Sequence, residues 1–349
     1  MRVFSHTCSN TEIVCALDCA SMLVGVDADS DYPPEVVAAL PKTGRDLDLD
    51  IDAVLVHADA VGLGLNHSCA INHADSRLWC WGSNDWGQLG NGSTGSFLTA
   101  PAQVIGLDAW KSVSAGEHHT CAIRSDSRLA CWGSNYDGQL GDGTAGGLAN
   151  VPTLVGTDTW KSVAAGAGHT CGIRSDGTLW CWGRGASGQL GDGHTWGSLT
   201  PEQIGTDTWK SVRAGRYHTC GIRSDGTLWC WGGDVWGQIG DGSTVDVLVP
   251  TQVAGTWKSM DTGAGHTCAV RADSTLWCWG LNLTGQVGDG TTTNRTTPVQ
   301  VGELTNWSSV ATGEGHSCAL HSSGSLSCWG RNDYGQLGDG TTTNRSAPV

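Results

Sequence analysis

The 349 residues include 52 glycines and 18 tryptophans but only two phenylalanines, a usage that points to one motif copied many times and away from an ordinary mixed core. With 34 acidic against 19 basic side chains the formal charge is −15, so most of the surface repels a phosphate backbone and no nucleic-acid partner is expected. No run of about 18 apolar residues occurs, so no membrane-spanning helix is expected.

Fifteen cysteines suit an oxidising compartment, and an extracellular or periplasmic location is the expectation. No signal peptide is visible: Met1 to Cys8 lacks a charged region followed by an apolar stretch, and Asp18 interrupts Ile13 to Gly25. Residues 1–59 read as a divergent first unit. His6-Thr7-Cys8 and Ile13-Val14-Cys15 form a shortened hairpin pattern, and Tyr32 to Val37 matches the later strand Thr297 to Val301. The alternating Asp27, Asp29, Asp31 and Asp46, Asp48, Asp50, Asp52 have the look of calcium loops. Counted from Asp27, however, Tyr32 and Ala38 stand where such a loop needs glycine and glutamate, so a solvated acidic loop is the simpler reading.

From residue 60 the chain becomes regular. His-Thr-Cys or His-Ser-Cys begins at His67, His119, His169, His218, His266 and His316, with spacings of 52, 50, 49, 48 and 50 residues. In the best-formed copy, Trp160 to Gly166 precedes the histidine. A Ser175-Asp176-Gly177 turn, Leu-Trp-Cys-Trp-Gly and Gly-Gln-Leu-Gly-Asp-Gly follow it. Four short strands per unit result. If Cys171 faces Cys181, then Ile173 faces Leu179 and Ser175 to Gly177 form a three-residue loop with a positive φ at its last position. His169, Cys171, Ile173, Leu179 and Cys181 then share one strand face, and Arg174, Trp180 and Trp182 share the other. Both faces carry bulk, as stacked blades require.

The same opposition predicts six disulfides: Cys69–Cys80, Cys121–Cys131, Cys171–Cys181, Cys220–Cys230, Cys268–Cys278 and Cys318–Cys328. Cys8, Cys15 and Cys19 are left, with one of them odd. The set His169, Cys171 and Cys181 offers soft metal ligands, but the simpler expectation is no metal site and a histidine that bonds backbone between blades. Asp142, Asp192, Asp241, Asp289 and Asp339 read as turn formers.

The string HTCGIRSDGTLWCWG followed by GQLGDG resembles the regulator-of-chromosome-condensation repeat, clearly over residues 60–349 and weakly over 1–59. The resemblance implies an all-β, seven-bladed propeller of four-stranded blades. One domain over 1–349 is expected, with 1–59 as the divergent first blade, 60–349 as six regular repeats, and the ring closed by pairing of the N- and C-terminal segments. The plant ultraviolet-B photoreceptors of this family place a sensing tryptophan after the glycine of Gly-Trp-Arg-His-Thr. Leu65, Glu117, Ala167, Arg216, Ala264 and Glu314 occupy that position here, so photoreception is not expected.

No catalytic constellation, phosphate loop or dinucleotide fingerprint is found, and neither enzyme activity nor a cofactor is expected. The turn before each histidine and the loop after each Trp-Gly should meet at one end of the blade. There the motif leaves free positions, filled by Trp86, His118, Tyr136, Arg216, Tyr217, Trp236, Asp333 and Tyr334. Aromatics and arginine dominate interface hot spots, so these eight are the expected partner-binding residues. The leading expectation is an exported protein-binding scaffold. A lectin-like carbohydrate binder is the first alternative, and a guanine-nucleotide exchange factor-like regulator the second.

Overall fold

The computed structural model describes residues 58–349 except 96, 107 and 108, so the readings placed on 1–57, including Cys8, Cys15, Cys19 and the acidic loops, lie outside the described residues. The first unit holds β1 (Ala58–Leu63), β2 (His67–Asn72), β3 (Leu78–Gly82) and β4 (Leu98–Gln103), hydrogen-bonded in that order. The second holds β5 (Trp110–Ala115), β6 (His119–Arg124), β7 (Arg128–Ser134) and the first part of β8 (Leu148–Ala165). The rest of β8 crosses to become the inner strand of the third unit, which continues with β9 (His169–Arg174), β10 (Thr178–Gly183) and the start of β11 (Ser198–Ala214). The remainder of β11 opens the fourth unit, followed by β12 (His218–Arg223), β13 (Thr227–Gly232) and the start of β14 (Val247–Thr262). The fifth takes the end of β14 with β15 (His266–Arg271), β16 (Leu276–Gly280) and β17 (Arg295–Gln300). The sixth has β18 (Trp307–Thr312), β19 (His316–His321) and β20 (Leu326–Gly330). Among the described residues the fold is all β, without a helix.

The C-terminal segment departs from expectation. Arg345 pairs with Gly330, and Val349 exchanges backbone hydrogen bonds with Cys328. This is the register by which Leu98 and Ala102 of β4 face Gly82 and Cys80. The segment therefore fills the outer edge of its own unit instead of completing the first blade, because β20 presents the same edge that each third strand offers its successor. Pairing of the ring's ends, and a seventh blade, fall outside the described residues.

The hairpins match the sequence pattern. Cys171 faces Cys181 and Ile173 faces Leu179. The closing residue of the turn has a positive φ, 89° at Gly177 and 68° at Ser127, where serine takes the same left-handed conformation. All six predicted disulfides are present, each with Cα atoms 4.1 Å apart, the narrow spacing of directly opposed strand residues. The sulfurs are buried.

The apolar core lies between blades. Cys171, Ile173, Leu179 and Cys181 of the third unit pack with Trp209 and Trp231 of the fourth, while Trp160 and Trp182 pack backwards onto Ile123, Leu129 and Leu140 of the second. Each inner-strand tryptophan meets the third-strand tryptophan of its own blade, as Trp209 meets Trp231 at 5.8 Å between ring centres in a favourable edge-to-face geometry. Polar stitches repeat at the same seams. Trp231 Nε1 donates to the Gln189 carbonyl of the preceding blade at 3.0 Å, and Thr219 Oγ1 donates to that carbonyl at 2.8 Å.

Gly191 shows how little room this seam has. Its φ is +81°, and a Cβ there would stand 2.6 Å from Trp231 Nε1. Gly191→Ala is expected to cost about 2–3 kcal/mol by forcing a left-handed alanine and displacing the indole. A urea midpoint equal to that of the parent would refute this account of the seam.

Candidate functional site: the loop face

Backbone hydrogen bonds tie the turn before each histidine to the loop after each Trp-Gly: Ser134 N to His118 O, Arg184 N to Gly168 O, Gly233 N to Tyr217 O and Arg331 N to Gly315 O. Both loops of every unit thus lie at one end of the molecule. Within the longer loop two buried amides set the shape. Asn135 Nδ2 donates to Asp142 Oδ1 and to the carbonyl and hydroxyl of Thr144, while its Oδ1 accepts from Leu140 N. Gln139 Oε1 accepts from Asp137 N. Asn84, Asn282 and Asn332 repeat the first device. Gln88, Gln238, Gln286 and Gln336 repeat the second. The aspartates act as the expected turn formers: Asp142 Oδ1 accepts from Thr144 N and Oγ1. Between these two framing positions the frame leaves residues of varied identity, of which Tyr136, Val235, Leu283 and Tyr334 are exposed.

The eight predicted binding residues fall into three groups and one outlier. Trp86, His118 and Tyr136 meet across the first two blades, with Trp86 5.8 Å from His118 and 5.4 Å edge-on to Tyr136. Arg216 lies 5.5 Å from the centre of the Tyr217 ring, and Arg184 approaches that ring at 5.8 Å. Asp333 holds Arg331 at 2.8 Å, and Arg331 lies 5.5 Å from the Tyr334 ring. Trp236 stands apart, half-buried where a side chain on Gly265 would strike its ring. Tyr136 and Tyr334 stand open to solvent, at 57% and 55% exposure.

Glu117 connects the first two groups, 3.7 Å from His118 and 3.5 Å from Arg216, two blades away. It belongs to the ring of Leu65, Glu117, Ala167, Arg216, Ala264 and Glu314, all of which line a central cavity of about 910 Å³. The six inner strands form its wall. Deeper in, Arg213 pairs with Asp261 at 3.3 Å, and Asp261 Oδ2 accepts from Thr312 N at 2.8 Å. Burial pushes the Asp261 carboxyl up, against the pull of Arg213.

Sequence reasoning missed Trp196. It is 61% exposed and stacks on His194 with ring centres 3.8 Å apart. The available signal was local: His194-Thr195-Trp196 follows Gly-Asp-Gly where other units carry Thr-Ala-Gly or Ser-Thr-Val, and Gly185 replaces the framing asparagine. The Trp196 carbonyl occupies the space a side chain at 185 would need.

The recurring histidines are structural in a way that differs from expectation. His169 Nε2 meets the Thr219 hydroxyl of the next blade at 2.9 Å, not a backbone group directly. That hydroxyl gives its one proton to the Gln189 carbonyl, so the imidazole must donate from Nε2 and leave Nδ1 bare. Burial pushes the pKa down to about 4 for His169 and about 3 for His218, which keeps both rings neutral. The sulfurs a metal at His169 would need are bonded to each other. Among the described residues no three His, Cys, Asp or Glu side chains gather as a metal cluster, and no helix is long and apolar enough to cross a membrane.

The chain matches the family model "Regulator of chromosome condensation (RCC1) repeat" over residues 75–123, 126–173, 176–222, 225–270 and 273–320. It is 38% identical over 87 residues to the probable E3 ubiquitin-protein ligase HERC6 of Homo sapiens, covering 24% of this chain and 8% of that one. Over 85 residues it is 32% identical to the ultraviolet-B receptor UVR8 of Arabidopsis thaliana, covering 24% and 19%. The matches therefore span less than a fifth of either relative. Among solved structures, Prp20p from Saccharomyces cerevisiae, described with its binding properties to Gsp1p and histones, superposes with a TM-score of 0.76 at 21% identity, covering 94% of this chain and 82% of that one. Human WBSCR16 gives 0.74 at 22% identity, covering 83% and 80%. These likenesses establish the propeller architecture. With five repeats matched in tandem and the blade geometry in place, the chain belongs to the RCC1 repeat family.

Proposed function

We propose that this propeller is an exported protein-binding scaffold whose loop face holds the partner. The observation that carries the reading is a contrast in the loops: a buried glutamine in every described unit, joined by a buried asparagine in four of them, fixes the frame, while tryptophan, tyrosine and arginine of differing identity stand at free positions on one end. Aromatic and arginine anchors on a rigid support lose little entropy on binding and supply most interface energy. Six buried disulfides support export. Prp20p, a protein of the same fold, is described with its binding to Gsp1p and histones, which favours a protein ligand over a sugar. That same likeness supports the second reading, an exchange factor-like regulator. On either reading no catalytic role is proposed.

Capture from the native surroundings tests the assignment, comparing the parent with Trp86→Ala/Tyr136→Ala and with Ser175→Ala at the opposite end. The double variant should weaken capture by about thirtyfold or more, corresponding to at least about 2 kcal/mol, with Ser175→Ala unchanged. Loss in Ser175→Ala with full retention in the double variant would overturn the choice of face. Elution by sugar or by guanine nucleotide would move the function to the corresponding alternative.

A further inference from the structure

The loop of the fourth blade, residues 233–246, breaks the polar pattern of the blades that follow it. In the fifth, Asn282 Nδ2 sits among four acceptors: Asp289 Oδ1 at 3.3 Å, the Thr291 carbonyl at 3.1 Å and hydroxyl at 3.4 Å, and the Thr293 carbonyl at 3.1 Å. Asn294 Oδ1 accepts from Asn282 N, and Arg295 neutralises Asp289 at 2.6 Å. The sixth blade repeats this with Asn332, Asp339, Asn344 and Arg345. In the fourth blade the equivalent positions are Asp234, Asp241, Asp246 and Val247. Two amides have become carboxyls and the arginine is gone.

Asp234 still takes the asparagine's place. Its Oδ1 accepts from Ile239 N at 2.8 Å and its N donates to Asp246 Oδ1 at 3.0 Å. Its Oδ2, where the sister amides carry their N–H groups, is buried without a partner. An ionised oxygen there has nothing to donate and accepts from no partner; a protonated one restores the donor that the sister amides supply. We propose that Asp234 is held as the neutral acid and that its proton latches this loop, closing it as the asparagine amide closes the loops of the sister blades, so that loss of the proton loosens it.

The charged groups bearing on Asp234 come from its own loop, Asp241 and Asp246, and both disfavour ionisation. From elsewhere, Tyr217 and Ser187 pack on Gly233, and Arg295 of the next blade approaches Gly237 through its carbonyl while its guanidinium stays with Asp289. Burial, with these two carboxylates adding to it, raises the Asp234 pKa from 3.8 to about 7. Since the closed loop binds the proton more tightly than the open one, opening should become about tenfold easier per pH unit between about 4 and 7, and level off above. This slope is opposite in sign to that of the buried histidines, whose contribution weakens as pH falls.

Hydrogen exchange on the full chain, corrected for the intrinsic rate at pH 5, 6 and 7, reads the latch at peptides covering 233–246. The parent should lose protection there by about tenfold per unit, while the 281–294 loop stays flat. Asp234→Asn should remove the slope and keep the loop closed, and Asp241→Asn, which leaves Asp234 in place, should end the slope at a lower pH. A flat parent, an equal slope in Asp234→Asn, or protection at pH 7 that requires calcium and vanishes with chelator would overturn the proposal.

Discussion

Protein whose six disulfides have been reduced and alkylated in denaturant should fail to refold at 25 °C when the denaturant is removed. Each bridge closes a loop of 10 or 11 residues, worth at most about 2–3 kcal/mol in the chain-entropy model. Six together match or exceed the whole stability of a typical domain, about 5–15 kcal/mol. The sulfurs also pack against the next blade's tryptophans, so each alkylated thiol brings foreign bulk into a seam. The single pair Cys171→Ala/Cys181→Ala, which avoids that bulk, should fold and lose about 2–3 kcal/mol. Circular dichroism checks both. Recovery of the parent melting temperature by the alkylated chain would show that the staples are ornamental.

Acid should be the second strong perturbation. His67, His119, His218 and His266 have pKa values pushed down to about 3, and His169 and His316 to about 4, in each case chiefly by burial. In the unfolded chain they titrate near 6.5. Below that value the unfolded state binds protons that the folded state refuses. The stabilisation is complete above about 6.5 and is lost as pH falls towards the folded values, at up to about 1.4 kcal/mol per unit for each ring. A fall in Tm of at least about 10 °C between pH 7 and 5 is expected. Asp289 and Asp339, held below 3.8 by their threonine and arginine hydrogen bonds against the effect of burial, enter only at lower pH and do not blur this window. A melting temperature that stays flat from pH 7 to 5 would contradict the neutral histidine relay.

The hairpins, the six cysteine pairs and the shared end of the loops were legible in the sequence because strand alternation and a spacing of 10 or 11 residues leave one register. The destination of Arg345 to Val349 was not, since every third strand offers an equivalent outer edge and sequence alone does not say which one a strand takes. The histidine partner was hidden for a related reason: His169 and Thr219 lie 50 residues apart, and only the stacking of blades brings them together. The sequence places the eight expected binding residues on one face. Their division into three groups depends on neighbours such as Glu117 and Arg216, 99 residues apart. Asp234 was visible as a letter that breaks the Asn pattern, but its meaning required the cage of acceptors around the sister asparagines.

Paired sulfurs crossing every described blade are what make this frame rigid enough to display variable loops, and they are also the support for export. The direct measurement is alkylation of the protein taken from its native location, unfolded with the thiol reagent present, before and after reduction, read by peptide mass spectrometry. All twelve cysteines from Cys69 to Cys328 should escape label before reduction and take it afterwards. Full labelling without reductant would contradict both the stapled frame and the exported scaffold built on it.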